Sequence, residues 1–407
     1  MLPWTSTVVP RLPGNGLEVT LWDTATRQYR QPLAPDASAR LYVCGITPYD
    51  ATHIGHATTY LAFDLLGRAW RDAGHPVRYV QNLTDVDDPL LERATATQVD
   101  WQQLADLEAK RFRDDLTALR VLAPDAWVSV SEAMPEIVAE IVKLQEAGTV
   151  YQVDQDWYFD VSQVDNFGAV SGLSLAEMLP ISAERGGDPD RPGKRNQLDA
   201  LLWRGERVGE PAWPSPFGPG RPGWHVECLA IAMSHLAGPA TVQGGGFDLV
   251  FPHHDYCLAE SAAVGERYAE LFAHVGMVSY QGAKMSKSLG NLVFVSKLRE
   301  AGIDPMAIRT AILGNHYRTA WEWTDSHIKR ADLRLELWRQ ALACQGGADS
   351  LALLADVRRA LADDLDSPKA MALVDDWASR TLAGDDSDPT AQGLVARTID
   401  ALLGIAL

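Results

Sequence analysis

The run Arg40-Leu41-Tyr42-Val43-Cys44-Gly45, together with the forty residues after it, constrains this chain most. The run reads as a buried strand entering a turn, residues 58–70 then carry apolar side chains at helical spacing, and a second apolar run occupies 77–80. Strand, loop, helix and strand in that order is the unit of a parallel α/β sheet. Asn82-Leu83-Thr84-Asp85 places polar residues where the second strand would end, the edge at which such sheets bind ligands. From about 94 to 179 the period is mostly helical, and the segments 182–194 and 211–223 are rich in Gly, Pro and charge, as loops bounding an insertion would be. Strand character resumes at 240–242, 248–251 and 274–279, so the insertion splits the sheet. Beyond 304 the period is helical, through 306–338 and 351–377, with a break at 382–389. The organisation expected is a first half of the parallel-sheet core at 1–94, a connective insertion at 95–205, a second half at 206–303 and a helical domain at 304–407.

A hydrophobic fraction of 46% in 407 residues allows a substantial core and excludes disorder as the main state. No stretch reaches the eighteen or so uncharged apolar residues of a membrane helix, and no basic segment followed by an apolar run opens the chain, so the expectation is a cytoplasmic protein without a membrane partner. The four cysteines, Cys44, Cys228, Cys257 and Cys344, are too scattered for a disulfide framework, which turns attention to metal binding or reactivity. A formal net charge of −18 repels a phosphate backbone and favours small-molecule chemistry.

Two short motifs carry that chemistry. His53-Ile54-Gly55-His56 opens the first helix, where unpaired backbone amides attract anions and imidazoles can bond phosphate oxygens. Lys284-Met285-Ser286-Lys287-Ser288 precedes Leu289-Gly290-Asn291 and puts two ammonium groups in a glycine-flanked loop, suited to the charge on a departing pyrophosphate. Either motif alone reads as solvated surface, but together they fall at the ends of a split parallel sheet.

With both motifs intact, the chain resembles the class I aminoacyl-tRNA synthetases, whose signatures are HIGH and KMSKS. The resemblance implies a Rossmann-like parallel sheet with an inserted connective domain and a C-terminal helical domain. It also implies ATP, with Mg2+, bound between the signatures, where His53, His56, Lys284 and Lys287 act in catalysis. Within that class the chain is similar to cysteinyl-tRNA synthetase, through Tyr42-Val43-Cys44-Gly45, Asn82-Leu83-Thr84-Asp85-Val86-Asp87-Asp88, the segment 220–228 ending in Trp224-His225-Val226-Glu227-Cys228, and the segment 244–254 ending in Pro252-His253-His254. That likeness implies one Zn2+ per chain held by Cys44, Cys228 and His253, with the substrate thiolate as a further ligand. Thiolate and imidazole suit zinc, and serine's hydroxyl is a far poorer ligand. Cys257 stands where the synthetases have glutamate, one helical turn after His253, and either approaches the metal or simply packs as a small residue. The resemblance further implies that Gly246, Phe247 and Asp248 border adenosine. Gly45, Ile46, Thr47, Thr59, Asn82, Leu83, Thr84, Trp224 and Val278 complete the surroundings of a cysteinyl-adenylate.

Two acceptors of the cysteinyl group remain, a tRNA or a small aminosugar. Cys44-Gly45-Ile46-Thr47-Pro48-Tyr49 and Glu184-Arg185-Gly186-Gly187-Asp188-Pro189 resemble the ligases of the mycothiol pathway, and the chain ends 119 residues after Ser288, with little room for an anticodon-binding region. Read by itself, the hexapeptide at 184–189 is a solvated turn. The resemblance implies a monomeric enzyme using L-cysteine, ATP and glucosaminyl-inositol, with no tRNA. Cysteinyl-tRNA synthetase and an inactive nucleotide-binding paralogue are the alternatives.

Overall fold

The computed structural model of the protein describes residues 4–34, 37–49, 52–285 and 290–407. An antiparallel hairpin of β1 (Leu21–Asp23) and β2 (Gln28–Arg30) leads into β3 (Ala39–Val43). Helix α1 (Ile54–Asp72) crosses to β4 (Val77–Leu83), which lies parallel to β3 with Tyr42 opposite Val80. After α2 (Asp88–Thr97) and α3 (Trp101–Ala118), β5 (Ala126–Ser129) joins β4, again parallel.

Helix α4 (Met134–Glu146) then leaves the sheet for an antiparallel layer of β6 (Val150–Val153), β7 (Asp156–Phe159), β8 (Ala200–Gly205) and β9 (Gly220–Pro222), with α5 (Leu175–Glu184) between β7 and β8. Helix α6 (Trp224–His235) returns the chain to β10 (Val242–Gly246), and α7 (Asp255–Ala263) links it to β11 (Phe272–Val275). Strand β10 sits between β3 and β11, so the five-stranded parallel sheet runs β11-β10-β3-β4-β5.

A small sheet of β12 (Val278–Tyr280), β13 (Ala283–Lys284) and β14 (Trp321–Trp323) follows. Around and after it come α8 (Val295–Glu300), α9 (Pro305–Leu313), α10 (Asp325–Leu342), α11 (Ser350–Ala362), α12 (Ser367–Leu382) and α13 (Ala391–Thr398).

Alternate residues of the parallel strands enter two cores. Leu41, Val43, Val242 and Val275 join α1 and the C-terminal helices, whereas Tyr42, Val80 and Phe272 join α6, α7 and the insertion. The first core encloses an ion cluster: Asp64 accepts from Arg68 at 2.8 Å and from Arg309 at 2.5 Å, and all three side chains are fully buried. The remaining guanidinium donors reach the carbonyls of Leu119, Arg120, Asp400 and Leu403, so α1, α9 and the chain's last turn are fastened at one point. Among the described residues no helix is long and apolar enough to cross a membrane.

The structure departs from the sequence reading in three places. Residues 94–179 are not mostly helical, since they contain β5, β6 and β7. The β6–β7 hairpin turns at Asp154 with φ of 55°, and its alternation of buried and exposed residues is too short to compete with the helical period around it. Residues 248–251 are not a strand: Phe247–Leu249 is a short helical turn, and the helical segment Val250–His254 that follows is kinked at Phe251, whose φ of −131° and ψ of 135° are extended. Strand β10 already fills the place between β3 and β11, and the carbonyls of Asp248 and Phe251 converge on the Arg185 guanidinium, which carbonyls three residues apart on a strand could not do. Finally, β14 interrupts the helical stretch at 306–338.

Candidate active site

The ends of β3 and α1 and the turn after β10 face one cavity of about 550 Å³. Cys44, one of its lining residues, is also one of three donors that meet beside it. Cys44 follows β3, Cys228 lies on α6 and His253 lies in the turn after β10, and their donor atoms are all within 4.8 Å of one another. All three residues are buried, a soft donor set suited to zinc and too sparse to close its tetrahedron.

Burial pushes the Cys44 thiol well above its usual range, and the neighbouring Cys228 adds to this. Cys228 moves the other way despite its burial, because Cys44 and His253 stabilise its thiolate. Gln243 donates to Cys44 Sγ at 3.3 Å and accepts from the Tyr268 hydroxyl at 2.7 Å. His254 Nε2 lies 3.3 Å from the same sulfur, and its Nδ1 pairs with His274 Nε2 at 2.7 Å, which in turn reaches Thr24 through Nδ1. Burial lowers both imidazoles, His274 to about 3, so this row of rings is neutral. Cys257 is outside the converging trio: its thiol donates to the His225 carbonyl at 3.4 Å and lies 4.0 Å from His253 Nε2.

The start of α1 also lines the cavity. His53 caps that helix itself, its Nδ1 accepting from the amides of Gly55 at 3.0 Å and His56 at 3.4 Å. The amides that the sequence reading left unpaired are therefore occupied, and the neutral His53 ring carries its proton on Nε2. A Cβ at position 55 would meet the capping ring at 2.8 Å, the physical reason for glycine there. His56 stacks on His53 with centroids 3.7 Å apart, burial lowers its pKa to about 4, and its buried Nδ1 has no hydrogen-bond partner. A neutral imidazole with an unmet polar atom is suited to bonding a polar ligand group.

Of the residues singled out from the sequence, Cys44, Gly45, Ile46, Thr47, His53, His56, Thr59, Thr84, Trp224, Gly246, Asp248 and Val278 line this cavity. Asn82 and Leu83 lie behind the wall, within β4. Asn82 accepts from the Gly45 amide at 2.7 Å and donates to Thr84 at 3.1 Å, and a Cβ on Gly45 would stand 1.7 Å from the Asn82 carbonyl oxygen. Phe247 is exposed and is not among the lining residues. Lys287 lies outside the described residues, as does the side chain of Lys284. Sequence reasoning missed Gln243, His274 and the supporting role of His254; the doubled His253-His254 was the one available signal.

A second cavity of about 740 Å³ adjoins the first and shares Thr47, Tyr49, Trp224, Asp248 and Leu249 with it. The hexapeptide at 184–189 contributes to its wall and is no loose turn. Arg185 clamps the carbonyls of Asp248 and Phe251, and Asp188 accepts from Tyr158 at 2.5 Å and from Lys194 at 2.8 Å.

Residues 31–333 match the family profile described as tRNA synthetases class I (C) catalytic domain. The chain is 57% identical over 409 residues to the L-cysteine:1D-myo-inositol 2-amino-2-deoxy-alpha-D-glucopyranoside ligase of Thermobispora bispora, with all of both chains covered. It is 55% identical, again over the whole of both chains, to the ligase of that name from Thermomonospora curvata. Among solved structures it is similar to Mycobacterium tuberculosis methionyl-tRNA synthetase bound by methionyl-adenylate, with a TM-score of 0.67 over 90% of this chain and 92% of that one, at 16% identity. That likeness extends to the fold.

Proposed function

Since the chain belongs to the family of L-cysteine:1D-myo-inositol 2-amino-2-deoxy-alpha-D-glucopyranoside ligases, built on the class I (C) synthetase catalytic domain, we propose that it joins L-cysteine to the amine of glucosaminyl-inositol through a cysteinyl-adenylate. One observation carries the reading: a thiol-seeking donor trio that reaches the cavity through Cys44, and the histidine pair at the start of α1, border one and the same cavity.

In the first step a carboxylate oxygen of cysteine attacks the α-phosphorus of ATP and the bond to the β-phosphate bridge breaks, releasing pyrophosphate. In the second the amine takes the acyl group and AMP departs. A zinc ion held by Cys44, Cys228 and His253 would bind the substrate as its thiolate and keep serine from competing. Gln243 and His254 hold Cys44 in place for that role. His53 and His56, both neutral, donate to phosphate oxygens, while Lys284 and Lys287, with Mg2+, offset the charge of the leaving pyrophosphate. Thr47 and Trp224 confine the aminoacyl portion, and Asp248 accepts from the ribose.

Two measurements test this. Metal-replete protein should exchange pyrophosphate into ATP only when cysteine is added. It should then release AMP in the presence of glucosaminyl-inositol and not of tRNA. Exchange driven by serine as readily as by cysteine, or transfer to tRNA in place of the aminosugar, would refute the reading.

A further inference from the structure

We propose that the second cavity, between the 184–188 loop and Asp87-Asp88, is the acceptor subsite, and that Asp87 receives the acceptor's amine at its junction with the first. This rests on the ligase reading and names the residues that would serve its second step.

Three observations converge. The two cavities are joined through Thr47, Tyr49, Trp224, Asp248 and Leu249, so a ligand filling the second has direct access to a carbonyl held in the first. The volume of about 740 Å³ suits a two-ring polyol. The wall supplies acceptors and donors together, as sugar hydroxyls require. Arg204 donates to both carboxylate oxygens of Asp88 at 3.0 Å and to Glu210 at 3.3 Å, and Arg221 also pairs with both acids. These groups are preorganised by one another before any ligand enters.

The charge balance selects among acceptors. Seven carboxyl side chains line the cavity against five guanidiniums, a balance that repels a phosphodiester and attracts a protonated amine. Asp87 stands at the junction. Its Oδ1 caps α2 by accepting from the Asp88 amide at 2.8 Å, and its Oδ2 lies 3.5 Å from the hydroxyl of Thr47, a residue common to both cavities. Burial raises its pKa to about 6, opposed by the hydrogen bond from the Asp88 amide and by Arg221 and Thr47, while the Asp88 carboxylate adds to the rise. At neutral pH the group is mostly ionised, yet basic enough to take a proton. The neutral amine nitrogen forms the C–N bond to the adenylate carbonyl, the C–O bond to phosphate breaks with its electron pair leaving on AMP, and the proton shed by nitrogen passes to Asp87.

The test compares both half-reactions in the full-length enzyme for the native protein, Asp87→Asn and Glu184→Ala. Asparagine keeps the helix cap and removes the base. Its kcat for AMP release to glucosaminyl-inositol should fall ~100-fold, as loss of a general base does, while cysteine-dependent pyrophosphate exchange falls at least about tenfold less. Glu184 is exposed on the cavity rim, and its loss should raise KM for the aminosugar about threefold or more, in keeping with one lost polar contact, with little change in kcat. Parallel loss of both half-reactions in Asp87→Asn, or native ligation kinetics in both variants, overturns the subsite. Native enzyme that exchanges pyrophosphate with cysteine but never transfers to glucosaminyl-inositol overturns the ligase reading instead.

Discussion

At the scale of single residues, the thiol site works through the groups behind it as much as through its donors. Gln243 connects Cys44 Sγ to the Tyr268 hydroxyl, and His254 connects the same sulfur to His274 and Thr24. These contacts fix the direction in which the sulfur presents its lone pairs. Replacing Gln243 with leucine should therefore weaken zinc retention ~10–100-fold, read by competition against a chromophoric chelator. Cys228→Ala should lose the metal and cysteine-dependent exchange together. Full zinc content with full activity in Cys228→Ala would remove that residue from the donor set. The chemistry of this trio was legible from cysteine and histidine in their motifs, but Gln243 carries no motif and is visible only because β10 lies beside β3.

At the scale of elements, the turn after β10 shows how a remote loop shapes the site. The segment 248–251 has the composition of a strand, yet Arg185 gathers two of its carbonyls across a helical turn and the kink at Phe251. The guanidinium fork suits two carbonyls at once, which an ammonium cannot match. Arg185→Met should cost about 2 kcal/mol, the worth of hydrogen bonds to a charged group, read as a lower urea midpoint. Because Asp248 and Leu249 line both cavities, the same variant should raise KM for ATP. Unchanged stability and an unchanged KM would show the turn to be held by other contacts.

At the scale of the whole molecule, Asp64 with Arg68 and Arg309 joins the catalytic core to the C-terminal helices. Burial alone would raise the Asp64 pKa, but the two guanidiniums more than offset it and hold the carboxyl below its usual range. A carboxylate depressed in this way stabilises the fold above its unfolded pKa of about 4, and the contribution is lost as pH falls through the lower folded value. Asp64→Asn leaves two buried guanidiniums short of a counter-charge and should destabilise by about 3–5 kcal/mol. Denaturant titrations should show the native protein losing stability below pH 4 more steeply than the variant. Equal slopes would mean that Asp64 is not the group being titrated.

What the residues alone determined is local: a strand, a helix and a second strand from 39 to 83, two short motifs at 53–56 and 284–288, and cysteine and histidine as soft donors in a chain with few cysteines. Hydrophobic period and residue type report on neighbours within a turn or a strand, so these features could be read directly. Tertiary structure alone decided that Cys44 and His253, 209 positions apart (253 minus 44), stand in one cluster. It also decided that 248–251 curls, and that a hexapeptide resembling loose surface forms the wall of a second cavity. Each of these depends on which strand lies beside which, a choice made by burying both faces of the parallel sheet at once, and no local pattern encodes it.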